Sequence, residues 1–252
     1  MQDLIKKWGV VGKALAITAV LVAIRLFIDL SNLDILGLTN LITAFIGGAI
    51  FTVAIIFTGT LSDYKESEKI PNEIAISILT LFQDAKMIRH AEGQVSMHLI
   101  EHILSLYRVI AENFKTNNYT NKNIREIIEE INSDIYALVD QGLPPQYLVK
   151  LRIELSNIDK LTSRVKVIAE TSFIPAAYAI AEIAVIGVIL ILFFVKLDPY
   201  YEGIVIFTII SSLLISIILL IKDMDNPFEY GQRTFADVDY TPLFDLENYL
   251  DT

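Results

Sequence analysis

Residues 36–61 read LGLTNLITAFIGGAIFTVAIIFTGTL, and no charged side chain occurs between Asp34 and Asp63. A helix crosses the roughly 30 Å hydrocarbon core of a bilayer in about 20 residues. In lipid every backbone polar group must find its partner within the protein, and a helix does this along its whole length. This uncharged run therefore predicts a membrane-spanning helix.

Three further stretches have the same character. Residues 203–221, GIVIFTIISSLLISIILLI, carry no charge, and between Glu170 and Lys196 the only charged residue is Glu182. Residues 14–30 are apolar except for two charged side chains, discussed below. The sequence thus predicts four transmembrane helices, at about 14–31, 38–61, 174–195 and 203–222.

The composition agrees with a membrane protein and excludes several other classes. Of the 252 residues, 54% are hydrophobic and 20% are charged, against about 25% charged in soluble domains. The absence of cysteine excludes thiolate catalysis and cysteine-ligated metals. A net charge of -10 argues against nucleic acid as a partner, because phosphates require a basic surface.

Charged residues within the predicted spans are costly and are candidates for a structural or functional role. Arg25 and Asp29 are four residues apart, so on a helix they share a face and can neutralise each other. Glu182 has no such partner in its own helix. It either faces a water-filled path or pairs with a neighbouring helix.

The basic residues predict the orientation of the spans, because cytoplasmic loops carry the excess of lysine and arginine. The short connections 31–37 and 196–203 contain only Lys196, whereas basic residues precede the first span, flank the middle segment and end the fourth span at Lys222. Both termini and the middle segment are therefore expected in the cytoplasm.

The chain divides by composition into four segments. We expect residues 1–61 to hold the first two spans, 62–171 to form a cytoplasmic helical region, and 172–222 to hold the last two spans. Residues 223–252 form an acidic tail with aromatic residues at irregular spacing, which either docks as an extended strap or is partly disordered. No strand alternation is evident, so the fold class is all-α, with the cytoplasmic helices as extensions of the membrane helices.

The second span carries a bulky apolar stripe. Ile46, Ile50, Val53 and Phe57 follow one another at steps of four, three and four, which places them on one helix face. Such a stripe usually packs against lipid or a core. The alternative is a hydrophobic constriction, which gates by dewetting when several copies surround an axis.

One short motif is typical of an enzyme. Residues His98 to His102 have the H-x-x-E-H order of a class of zinc peptidases, and His90 lies about two turns earlier. No third zinc ligand stands out downstream, and three ordinary solvated histidines on an amphipathic helix are the preferred interpretation, with a metal-binding or proton-sensing patch as the alternative. No phosphate loop or serine nucleophile motif is present, so we expect no enzyme activity.

Three local patterns together resemble the bestrophin and bestrophin-like ion-channel family. They are FTGTLSDYKESEKIP at residues 57–71, IPAAY at 174–178 and DMDNPF at 223–228. Their order, the four spans and the inward termini are similar to those of the family. The resemblance covers most of the chain and is specific at these three places.

The resemblance implies a homopentamer in a lipid bilayer with one pore on the five-fold axis. Counted back from Pro71, its apolar neck falls on Ile46, Ile50 and Val53 or Ala54 of the second span, which matches the stripe that also contains Phe57. A second, cytoplasmic constriction falls on Leu155 or Ile158. Asp223 and Asp225 occupy the place of a calcium site in animal members; no other cofactor is expected.

By resemblance, the expected function is an ion channel for chloride or other small anions. A channel for monovalent cations is the first alternative, since an apolar neck excludes neither sign of charge. A membrane-anchored signalling or scaffold protein is the second, and a zinc hydrolase using the histidine motif is the third.

Overall fold

A computed structural model describes residues 2–92, 95–171, 175–231 and 235–250, and the side chains of these except 2–7 and 89–96. The helices are α1 (Gln2–Leu30), α2 (Asn40–Ser67), α3 (Ile70–Glu92), α4 (Val95–Thr116), α5 (Lys122–Asp140), α6 (Pro145–Glu170), α7 (Pro175–Phe194), α8 (Tyr200–Asp225), α9 (Thr241–Phe244) and α10 (Glu247–Leu250). Two short strands, β1 (Leu36–Gly37) and β2 (Val195–Lys196), complete the described elements. The chain forms two compact units.

The first, which we call the membrane unit, comprises Met1–Tyr64, Ser172–Asn226 and Arg233–Ala236. Its helices α1, α2, α7 and α8 are each long and apolar enough to cross a membrane, which confirms the four predicted spans. They share a core of buried side chains that includes Val53, Val188 and Phe207. Within a bilayer such a core is held by van der Waals packing, because lipid tails are as apolar as these side chains and supply no hydrophobic driving force between the helices.

The connections between the spans are tied together by a small sheet. β1 follows α1 and pairs in parallel with β2, which follows α7, with Leu36 opposite Val195 and Gly37 opposite Lys196. The sequence predicts no strands. Two-residue strands are too short to show an alternating pattern, so no sequence signal marks them.

The second unit, the extramembrane unit, comprises Lys65–Thr171, Pro227–Gln232 and Asp237–Thr252. It has its own core, in which Ile74, Ile78, Ile103 and Ile110 are fully enclosed. The middle segment therefore packs around a core of its own. Apolar faces of α3 and α4 contribute to this core.

Local sequence explains two helix ends in this unit. Gly142 follows α5 with a φ of +96°, a conformation that glycine adopts without steric cost, and Leu143 N–H donates to Leu138 O at 3.0 Å. Pro145 then opens α6 at its first position, where the missing N–H has no intrahelical partner to lose.

The described part of the tail is docked as a strap, which is one of the two alternatives predicted from the sequence. Phe228 and Tyr240 pack against Phe114 and Tyr119, with the ring centroids of Phe114 and Tyr119 5.4 Å apart. The Tyr119 hydroxyl donates to Phe228 O at 2.8 Å. Burial raises the pKa of the Tyr119 phenol, so it stays protonated and keeps this bond.

Replacing Phe228 with Ala should destabilise the extramembrane unit by about 3–5 kcal/mol, because the ring is 1% exposed and its removal leaves a cavity. The free energy of unfolding in detergent, followed by near-ultraviolet circular dichroism, measures this loss. Tyr249→Ala is the control, since Tyr249 is 66% exposed and should lose little. Equal losses in the two variants would contradict the docked strap.

Candidate functional site

Helix α2 holds the five residues expected to line a neck, and the structure does not keep them on one face. Val53 is 1% exposed and belongs to the core of the membrane unit, and Ile46 and Phe57 pack partly against that core. Ile50 is 40% exposed, and Ala54 is also exposed. A side chain enclosed by its own chain cannot line a shared pore, so the expectation for Val53 does not hold in this structure.

The exposed face of α2 is rotated about the helix axis from the predicted stripe, by roughly the angle between two consecutive residues. It contains Gly47, Ile50, Ala54 and Thr58, which follow one another at steps of three, four and four. The Thr58 hydroxyl donates to Ala54 O at 2.8 Å, so it is satisfied within the helix. The face is therefore apolar, and its bulky side chains include Ile50 and also Phe51, which is 67% exposed and lies four residues after Gly47 and three before Ala54.

One side of α2 is fixed to the rest of the membrane unit. Gly187 of α7 allows close approach, since a Cβ there would lie 3.2 Å from the Phe45 ring. By contrast, 11% of the most apolar stretch of the span that contains α2 is buried by the protein, whereas 22–28% of the corresponding stretch is buried in each of the other three spans. Helix α2 is thus the span least covered by its own chain.

The predicted intramembrane pair of Arg25 and Asp29 is confirmed, with Arg25 Nη2 2.9 Å from Asp29 Oδ1. Arg25 also donates to three backbone carbonyls where α7 ends: Leu192 O at 2.9 Å, Val195 O at 2.8 Å and Phe193 O. The last carbonyls of a helix have no intrahelical partner, and a cation there also balances the helix dipole. The residue is 3% exposed.

Replacing Arg25 with Met should destabilise the membrane unit by about 3–5 kcal/mol, because it leaves the Asp29 carboxylate and the α7 carbonyls without their donor. The free energy of unfolding in mixed micelles measures the loss. Lys65→Met is the control: its pair with Glu68 is exposed and is worth at most about 1 kcal/mol. A loss no larger for Arg25→Met would contradict this role.

The remaining intramembrane charge, Glu182, pairs with a neighbouring helix. Its Oε1 lies 2.5 Å from Lys222 Nζ of α8. About one turn away, the Tyr178 hydroxyl donates to Asp225 Oδ1 at 2.5 Å. These two contacts join α7 and α8. Of the two alternatives predicted for Glu182, the structure shows the pairing with a neighbouring helix.

The two acidic residues proposed for calcium are bonded to protein donors. Asp225 accepts the Tyr178 hydroxyl, and Asp223 Oδ2 accepts the backbone N–H groups of Phe235 at 2.8 Å and Ala236 at 2.6 Å. Among the described residues no group of three or more histidine, aspartate or glutamate side chains is arranged to hold a metal. These donors do not fit a calcium site, which stays a prediction from the resemblance.

The expected cytoplasmic constriction is not at an accessible surface. Leu155 and Ile158 of α6 are 2% and 0% exposed and belong to the core of the extramembrane unit. Both residues lie on the inward face of an amphipathic helix, where helical spacing also places core residues. Neither residue can line a passage in this structure.

The histidine motif does not assemble a zinc site within the described side chains. His102 Nδ1 lies 2.7 Å from Asp134 Oδ2 of α5, whereas His98 is 3.9 Å from Glu101 and exposed. The imidazole of His102 thus ties α4 to α5. The side chain of His90 lies outside the described residues, as does Ile174 of the second family-like pattern.

Two arrangements at the membrane unit were not predicted from the sequence. One is the bonding of Arg25 to carbonyls of α7, which are about 170 residues away in the chain. The other is the seat of Phe235 on α1, where the ring lies against Gly9 and under Lys13 Nζ, 4.6 Å from the ring centroid. The glycine itself was the available signal, since glycine is unfavourable within a helix.

No family model matches the sequence, and no curated protein is detectably similar to it. The fold, by contrast, matches solved structures over nearly its whole length. A variant of a bacterial bestrophin homologue from Klebsiella pneumoniae matches with a TM-score of 0.78 and 13% identity, covering 95% of this chain and 97% of that chain. Another crystal structure of a bacterial bestrophin homologue from that organism matches with a TM-score of 0.74 and 14% identity, covering 94% of both chains.

A further variant, described as a membrane protein, matches with a TM-score of 0.78 and 14% identity, covering 95% of this chain and 97% of that one. At such low identity the likeness establishes the fold, and it confirms the fold that the three sequence patterns predicted. The chain therefore has the fold of the bacterial bestrophin homologues.

Proposed function

We propose that this chain is the subunit of a homopentameric ion channel of bestrophin type, in which the exposed face of α2 lines a narrow apolar neck. The fold supports the proposal, because the solved structures that match it are bestrophin homologues. The observation that carries the proposal furthest is the uncovered apolar face of α2.

The side chains of this face suit a short constriction. Gly47 and Ala54 are small, and Ile50, at 40% exposed, is the bulky exposed member of the expected neck set, so we assign to it the closest approach of the five copies of α2. A ring of isoleucines offers water no hydrogen bonds, and a narrow ring of this kind closes by dewetting. We therefore assign the neck chiefly to Ile50, with Ala54 beside it and Ile46 and Phe57 at its margins.

Replacing Ile50 with Ala should widen and hydrate the neck, and the unit conductance of the protein in planar bilayers should rise. Leu41→Ala is the matched control. Leu41 is 80% exposed on the same helix, and no residue three or four positions from it belongs to the proposed lining face, so its loss should leave the unit conductance unchanged.

Equal effects of the two substitutions would place the pore elsewhere, and particles without a central opening would contradict the neck. An absence of current from the purified, reconstituted wild-type protein in any salt would favour the alternative of a membrane-anchored scaffold. In the proposed role the protein performs no chemical step, so it is not an enzyme.

The conducted ion is proposed to be chloride or another small anion, a choice that the resemblance supports. The net charge of -10 favours cations at the mouths of a pore, which keeps a monovalent-cation channel as the alternative. The apolar neck itself discriminates by size and dehydration rather than by sign of charge. Both termini are proposed to lie in the cytoplasm, and the distribution of basic residues supports this orientation.

A salt gradient distinguishes the two ions. With about tenfold more potassium chloride on one side of a bilayer, we expect the reversal potential to move towards the equilibrium potential of chloride. A shift towards the potassium potential would assign the channel to monovalent cations and would overturn the choice of anions. Replacing chloride with a large organic anion is the control, and it should abolish the current carried by chloride.

A further inference from the structure

Beyond the end of α8, the described part of the tail meets the membrane unit again at Phe235 and Ala236, in a contact that we call the Phe235 latch. Its members are Phe235 and Ala236 of the tail, Asp223 near the end of α8, and Gly9 and Lys13 of α1. Phe235 and Ala236 are grouped with the membrane unit, whereas Asp237 and the residues after it are grouped with the extramembrane unit. The latch is therefore a short stretch of the tail that belongs to the membrane unit, although the residues just before and just after it belong to the extramembrane unit.

The backbone half of the latch is a charge-assisted anchor. Asp223 Oδ2 accepts two consecutive N–H groups, from Phe235 at 2.8 Å and from Ala236 at 2.6 Å. Bonds from backbone amides to a carboxylate are about twice as strong as those between neutral groups. Asp223 therefore holds the backbone of the tail at the end of α8.

The side-chain half of the latch is a seat for the Phe235 ring on α1. A Cβ added at Gly9 would lie 1.9 Å from Cε1 of the ring, so the ring occupies the space that any other residue would fill. Lys13, one turn later on the same face, places Nζ 4.6 Å from the ring centroid, within the range of a cation–π contact.

A second glycine on the same helix shows that this close approach is specific to Gly9. Gly12 lies three residues later, and a Cβ added there would meet nothing within 4 Å. Both glycines weaken α1 to the same degree relative to alanine. Of these two glycines, only Gly9 makes a packing contact that offsets the loss of helix stability.

We propose that the Phe235 latch is a regulatory contact that holds α1 and the end of α8 in the resting arrangement, so that its release raises the open probability of the channel. The gating role rests on the proposed function. The physical reason is the order of the chain: α1 leads through β1 into α2, so a restraint on α1 also restrains the helix proposed to line the neck.

The test uses the full-length protein and three variants. Gly9→Ala displaces the ring, Phe235→Ala removes the ring, and Gly12→Ala is the matched control on the same helix. The first readout is hydrogen exchange at the peptide containing Phe235 and Ala236, whose amides are bonded to Asp223. The second readout is the open probability in planar bilayers.

Gly9→Ala and Phe235→Ala should each speed the exchange and raise the open probability, by about five- to thirty-fold, the range expected when a contact of ordinary strength is lost. Gly12→Ala should change neither. In a Phe235→Ala background, Gly9→Ala should have no further effect, because the ring with which the new methyl group collides is gone.

Each other outcome overturns a stated part of the proposal. Wild-type exchange in both latch variants would show that the ring is not seated on Gly9. Faster exchange with an unchanged open probability would overturn the gating role and leave a structural contact. An absence of current in the wild type would overturn the proposed function together with the gating role, while the exchange still reports whether the latch forms.

Discussion

A guanidinium placed at the end of a membrane helix is the constraint on which the arrangement of the membrane unit depends. The last carbonyls of α7 cannot be satisfied by water within a bilayer, and Arg25 supplies the donors that they lack. Asp29 neutralises the charge of Arg25, so burying the pair in the membrane costs less free energy than burying the arginine alone. Because Arg25 lies on α1 and its acceptors lie at the junction of α7 and β2, this contact fixes the point from which β1 leads into α2.

Helix α2 packs against the rest of its own chain on one side only, and this asymmetry leaves its other side to be covered by something else. Phe45 approaches the backbone of α7 at Gly187, and Val53 closes the core, while Ile50 and Ala54 remain uncovered. A span in this position must be completed by lipid, by a second copy or by an aqueous path. The proposed channel uses the last two, and the apolar surface then becomes a barrier that water crosses only when the ring of side chains widens.

The sequence predicts the four spans and the Arg25–Asp29 pair because these depend on local features, namely runs without charge and a spacing of four. It predicts an apolar stripe on α2 but not which members of the stripe are buried and which are exposed. Lipid-facing, core and pore-lining residues are all apolar, so periodicity alone cannot separate Val53 from Ala54. The family resemblance suggested a constriction at Leu155 or Ile158, and both residues lie in a core. Contacts between distant segments, such as Phe235 with Gly9, have no signature in spacing.

The docked tail also has a consequence for how the molecule is made. Tyr119 bonds to a carbonyl 109 positions further along the chain, and the core around it is closed by Phe228 and Leu243. A ribosome adds about 5–20 residues per second, so α4 and α5 wait several seconds for the residues that cover them. During that interval α7 and α8 are being inserted into the membrane. The nascent chain therefore exposes an unfinished apolar surface throughout insertion, and chaperones have that period in which to bind it.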